Sequence, residues 1–158
     1  MKKIIGLALI AVLFAACGVE PPMTTLTDPS PDQEMASSKS GLSLLLDEQI
    51  FAETPSVIVT TIKNDSMQDF GFGEYFHIEF KKDGEWYILT HSDAVFINNP
   101  NMTDFGNVLS AGQKTTMVFS IEKLGIVLVP GEYRLVKTFL TQEQAFFEIS
   151  IASAFAVE

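Results

Sequence analysis

A reactive site in this chain would have to be built from two histidines, twenty Asp and Glu residues and one cysteine. His77 and Glu79 stand two apart in an alternating stretch, so a strand would project both to one face. Such a pair can ligate zinc or exchange a proton, yet zinc needs three or four ligands and one strand gives two. An ordinary polar strand face accounts for the same residues. His91-Ser92-Asp93 holds the three residue types of a hydrolase triad as neighbours in sequence. A triad converges across space, and adjacent side chains do not. Asp69-Phe70-Gly71 and Asp104-Phe105-Gly106 both spell the magnesium tripeptide of kinases. The Gly-rich loop, the lysine strand and the His-Arg-Asp loop that give it meaning are missing, so turns with a buried Phe explain both. Acidic loops offer weak calcium candidates at Asp65, Asp69 and Glu74, and at Asp83 and Glu85. No Asp-x-Asp-x-Asp loop accompanies them, and a solvated acidic surface is the simpler account. The sequence therefore gives no reason to expect catalysis, a cofactor or a built metal site.

Cys17 is different because of what precedes it. Met1-Lys2-Lys3 is a short basic start, and residues 4–16 are apolar apart from one Gly. As a helix that run is about 20 Å long, short of the ~30 Å hydrocarbon core of a bilayer. A basic start, a short apolar run and small residues before a cut site describe a secretory signal peptide, here residues 1–16. Phe14-Ala15-Ala16-Cys17 resembles the lipobox of bacterial lipoproteins. The resemblance implies diacylglyceryl transfer to the Cys17 sulfur, cleavage after Ala16, and an acylated Cys17 as the mature N-terminus. Several acyl chains, palmitate among them, anchor firmly where one binds reversibly. The expected location is the extracytoplasmic face of a cell membrane.

The elements that would position any site begin further on. Residues 18–40 hold four of the seven prolines, several Ser and Thr, and no apolar period. With Cys17 they are expected to form a disordered tether (17–40) that spans roughly 25 Å. The domain proper is expected over 41–158, where short β-branched and aromatic runs alternate with turn signals. Candidate strands cover 42–46, 56–63, 75–81, 86–90, 114–121 and 132–140, with one or two more in 146–157. Phe76, Ile78 and Phe80 share one face, and Asp83-Gly84 closes a hairpin. In 114–121 either Thr115, Met117 and Phe119 or Thr116, Val118 and Ser120 face the core, and Phe119 favours the first set. The one helical candidate, 121–129, is broken by Gly125 and ended by Pro130. The pattern predicts an all-β protein, an antiparallel β-sandwich of about seven to nine strands.

The same stretch is similar to a bacterial immunoglobulin-like domain of Gram-positive lipoproteins. The likeness is carried by Thr61-Ile62-Lys63-Asn64, by 72–79, by Asp83-Gly84-Glu85-Trp86-Tyr87, by 109–113, by 129–137 and by Ala154-Phe155-Ala156-Val157. It implies an immunoglobulin-like fold in which Trp86 lies in the core and Tyr133, two residues after Gly131, forms a tyrosine corner. It brings no catalytic residues. In 68–75, Phe70 and Phe72 alternate with Gly71 and Gly73. These rings either anchor a partner as an exposed loop or plug the end of the sandwich.

The charge of −10 excludes nucleic acid as a partner, since phosphate must be met by Lys and Arg. Removing residues 1–16 takes Lys2 and Lys3 away and leaves eight basic against twenty acidic residues. Such a chain does not dock electrostatically on anionic lipid, so attachment falls to lipid on Cys17. The expected function is a non-enzymatic, lipid-anchored interaction or structural module with an unidentified protein or cell-envelope partner. The alternative is a solute- or calcium-binding lipoprotein that uses its acidic loops.

Overall fold

The computed structural model describes residues 23–90, 105–143 and 145–158. The signal peptide, Cys17, His91-Ser92-Asp93 and Asp104 lie outside the described residues. Two sheets pack face to face. One contains β1 (Ser38–Lys39), β2 (Leu42–Leu46), β4 (Val57–Asn64) and β9 (Lys114–Ser120), in the order β1-β2-β4-β9. The other has seven strands among the described residues. Its main path runs through β3 (Ile50–Phe51), β11 (Glu148–Val157), β10 (Gly131–Thr141), β5 (Phe70–Phe72) and β8 (Asn107–Leu109). β6 (Phe76–Lys82) also pairs with β10, and β7 (Glu85–Ile88) pairs with β6. All pairings are antiparallel except that of β3 with β11. The all-β sandwich read from the pattern is the fold observed. Its strands number eleven among the described residues, because β1 and β3 are two-residue pairs and one long strand is split into β5 and β6.

Alternation decides which side chains fill the space between the sheets. Leu42 and Leu44 on β2, Ile58 and Ile62 on β4, Phe119 on β9 and Phe139 on β10 are all buried. Asp83 and Gly84 both take positive φ, 54° and 90°, which is the backbone the tight β6–β7 hairpin requires. The helical candidate shrinks to one turn, α1 (Ile121–Leu124). Ser120 caps it with its Oγ accepting from Lys123 N, and Gly125 ends it at φ 66°.

The break between β5 and β6 has a visible cause. β10 pairs Leu140 with Gly71 but Lys137 with Phe76, so residues 71–76 carry two more residues than the β10 segment opposite. The surplus bulges outward at Gly73, Glu74 and Tyr75. Buried Lys137 reaches the bulge, and its Nζ donates to Gly73 O at 2.5 Å and Tyr75 O at 2.6 Å. Carbonyls that lose their ladder partners thus gain a charge-assisted one.

Candidate functional site

The most elaborate chemistry in the described residues lies on the outer face of the seven-stranded sheet. β6 alternates Phe76, Ile78 and Phe80 inward, so His77 and Glu79 point outward, as the sequence pattern requires. In register, His77 stands opposite Val136 and Glu79 opposite Arg134. An outer face of this kind is normally wet, yet Glu79 is 0% exposed and Arg134 only 3%. The cover is residues 23–37, a strap that crosses the sheet.

Here the expected disordered tether is corrected: from residue 23 onward the segment is laid down on the domain. Thr25 bridges Leu89, Leu26 N donates to Ile88 O, and Thr90 N donates to Thr24 O. Ser30 N then donates to Trp86 O at 2.7 Å, and the Gln33 amide meets Trp86 N and O at 2.8 and 3.1 Å. Further on, Ala152 N donates to Ala36 O and Leu44 N to Ser37 O, after which the chain enters β1. The strap buries little apolar surface. Backbone and amide bonds attach it, so its Pro- and Ser-rich composition concealed it.

Glu79 and Arg134 tie the strap to the sheet. Arg134 Nε and Nη2 both donate to Glu79 Oε2, at 2.6 and 2.5 Å. Arg134 Nη2 also donates to Asp32 O at 2.5 Å, and Nη1 to Gln33 O at 3.3 Å. The other carboxylate oxygen, Oε1, accepts from Ser30 Oγ at 2.8 Å and meets His77 Nε2 at 3.1 Å. Burial by itself would raise the Glu79 pKa. The bonds from His77 and Ser30 and the charge of Arg134 outweigh it and hold the carboxyl below its ordinary value. The site is a satisfied internal ion pair, with its hydrogen-bonding capacity spent on the strap.

Each residue singled out in the sequence has a definite place. Trp86, expected in the core, is half-buried on the outer face instead. Its ring stacks on the Arg134 guanidinium, 4.8 Å from Cζ to the centroid, with Lys81 Nζ at 5.5 Å. A large ring was read as core because size usually means burial; here it covers a charge. Phe70 and Phe72, expected as a possible partner loop, form β5 and are buried, Phe70 completely. Phe72 packs on Phe139 with ring centroids 6.2 Å apart. Rings held inside the sandwich present no face to a partner, so the plug is the arrangement observed. Asp69 Oδ1 accepts from Ala111 N at 2.9 Å, a turn contact. Among the described residues no three His, Cys, Asp or Glu side chains gather closely enough to hold a metal ion.

Tyr133 behaves as expected. It is fully buried, and its hydroxyl donates to Val129 O at 2.5 Å, four residues upstream. Burial pushes its pKa up to about 12. A folded pKa above the unfolded value of 10 stabilises the protein below pH 10, and this contribution is lost as pH rises through 12. Tyr133→Phe should therefore lower stability by about 1 kcal/mol at neutral pH in urea titrations. It should also abolish the late tyrosine ionisation in an alkaline absorbance titration.

Sequence reasoning missed Ser30, Gln33, Arg134 and Lys137. One signal was available for Arg134: a cation in the middle of an apolar run, Tyr133-Arg134-Leu135-Val136-Lys137, is tolerated only when paired.

Two stacked antiparallel sheets and a tyrosine tied to the chain just before its own strand define an immunoglobulin-like β-sandwich. Residues 38–152 match the family model of a bacterial Ig-like domain. The chain belongs to that family, whose immunoglobulin-like relatives are generally non-enzymatic. Neither a curated protein nor a solved structure matches it.

Proposed function

We propose that this protein is a lipid-anchored, non-enzymatic interaction module on the extracytoplasmic face of a bacterial cell membrane. The observation that carries the reading is the run Phe14-Ala15-Ala16-Cys17 behind a basic start and a short apolar segment. Family membership supports a surface-type interaction role for the folded part. The described charged groups agree with it, since Glu79, Arg134 and Lys137 all serve internal bonds.

The strap gives the anchoring a mechanical consequence. The strap is already bonded to the domain at Thr24, so the chain between Cys17 and that bond is shorter than the tether expected from composition. The folded domain would therefore be held close to the headgroups.

Cys17→Ser tests the anchor. In fractionated cells the wild-type chain is expected in the membrane pellet and released only by detergent. The variant is expected to keep its uncleaved apolar segment and to lack acylation, which metabolic labelling with an alkyne fatty acid reads directly. Equal labelling of the two proteins would refute the anchor.

A further inference from the structure

The four-stranded sheet ends on β9, and no described strand pairs with its outer side. On its inner side, toward β4, Asn64 N donates to Gln113 O and Ile121 N donates to Ser56 O. Both acts involve odd-numbered residues of the β9 side. Antiparallel alternation therefore turns the backbone groups of Lys114, Thr116, Val118 and Ser120 to the open edge. Natural edges are blunted by proline, by charge along the strand or by a bulge. β9 reads Lys-Thr-Thr-Met-Val-Phe-Ser, with its one charge at the first position. Val118, in the middle of the edge strand, is 60% exposed, so the edge presents an apolar side chain as well.

We propose that two copies of this chain pair through β9, antiparallel about a twofold axis at Met117. Their four-stranded sheets then join into one of eight strands. The ends of the strand select a second copy as the occupant. Reversing β9 on itself around Met117 overlaps all seven residues and sets Thr116 against Val118. Lys114 falls opposite Ser120 and beside Glu122, the exposed acid in the first turn of α1. Unlike charges thus meet at both ends of the paired strands. An in-register parallel pairing would instead set Lys114 against Lys114, which disfavours it. The twofold makes the contact isologous and closed, so it stops at a dimer. This names a partner for the interaction role proposed above and rests on it, while the pairing and the lipid anchor are tested by separate readouts.

The test is the protein mass of the full chain in detergent micelles, by sedimentation equilibrium at concentrations up to about 100 μM. The expected result is a dimer. Val118→Pro removes one edge N–H without touching the β4 ladder and should weaken dimerisation about tenfold or more. Leu45→Lys, on the same outer face but two strands inward, should leave it within about twofold. A monomer at every concentration, a dimer that survives Val118→Pro, or a dimer lost with Leu45→Lys would each overturn the proposal. If Val118→Pro fails to fold by circular dichroism, the double variant Thr116→Cys/Val118→Cys in a Cys17→Ser background decides. Oxidation should then give a covalent dimer that reductant reverses, and its absence would overturn the pairing. Detergent-dependent release of the wild-type chain from membranes reports on the anchor alone, so a failed pairing leaves that reading standing.

Discussion

Glu79→Ala is expected to cost about 3–5 kcal/mol of folding stability. The reason is the charge left behind. With the carboxylate gone, the Arg134 guanidinium, 3% exposed, keeps its bonds to Asp32 O and Gln33 O but loses its carboxylate partner. Ser30 Oγ and His77 Nε2 lose their acceptor as well. Glu79→Gln keeps an oxygen for those donors and should cost less. The double variant Glu79→Met/Arg134→Met removes both charges and should recover much of the loss, since an apolar pair of similar volume is often as stable as a buried ion pair. Urea titrations of the four proteins read these values directly. A loss below about 1 kcal/mol for Glu79→Ala would show that the pair is open to solvent and the strap loosely held.

The same carboxylate sets an acid limit. Its pKa lies below the ordinary value of 4.5 in the folded protein. The stability it supplies is therefore fully present above pH 4.5 and is lost as pH falls through the lower folded value. In Glu79→Gln that part of the acid dependence should be missing. The strap should respond with the pair, so amide exchange at Leu26 and Ser30, whose N–H groups bond to β7, should accelerate in Glu79→Ala before the core opens.

Phe70→Ala is expected to cost a further independent 3–5 kcal/mol, in the range of a buried Phe truncation. Phe70 is 0% exposed and sits on β5 opposite Leu109, with the end of β10 alongside. Removing its ring opens a cavity where β5, β8 and β10 meet. The variant should melt lower by some 10 °C or more in thermal scans. Unchanged melting with lost association at the cell surface would instead restore Phe70 and Phe72 as a binding loop.

These two residues mark what could and could not be read in advance. The sandwich was legible because its strands bury one face each. Phe76, Ile78 and Phe80 alternate cleanly, and Thr115, Met117 and Phe119 turn inward as their spacing requires. Tyr133 was legible because its partner, Val129, is four residues away. Glu79 was read as an exposed strand residue because alternation reports only the face, not what lies on it. Its cover comes from Ser30 and Gln33, some fifty residues earlier, in a segment without apolar period. Composition reports whether a segment can bury apolar surface. It is silent on a segment held by Arg134, Trp86 and backbone amides. Trp86 was misplaced for a related reason, since the cation beneath it lies across the sheet on β10.

The central claim, that a bacterial Ig-like domain is held to a membrane through Cys17, is tested most directly by intact mass spectrometry of the protein extracted from native membranes. The account predicts a chain that begins at Cys17 and carries a diacylglyceryl group with its fatty acids. A mature chain with an unmodified N-terminus at any other residue would contradict it.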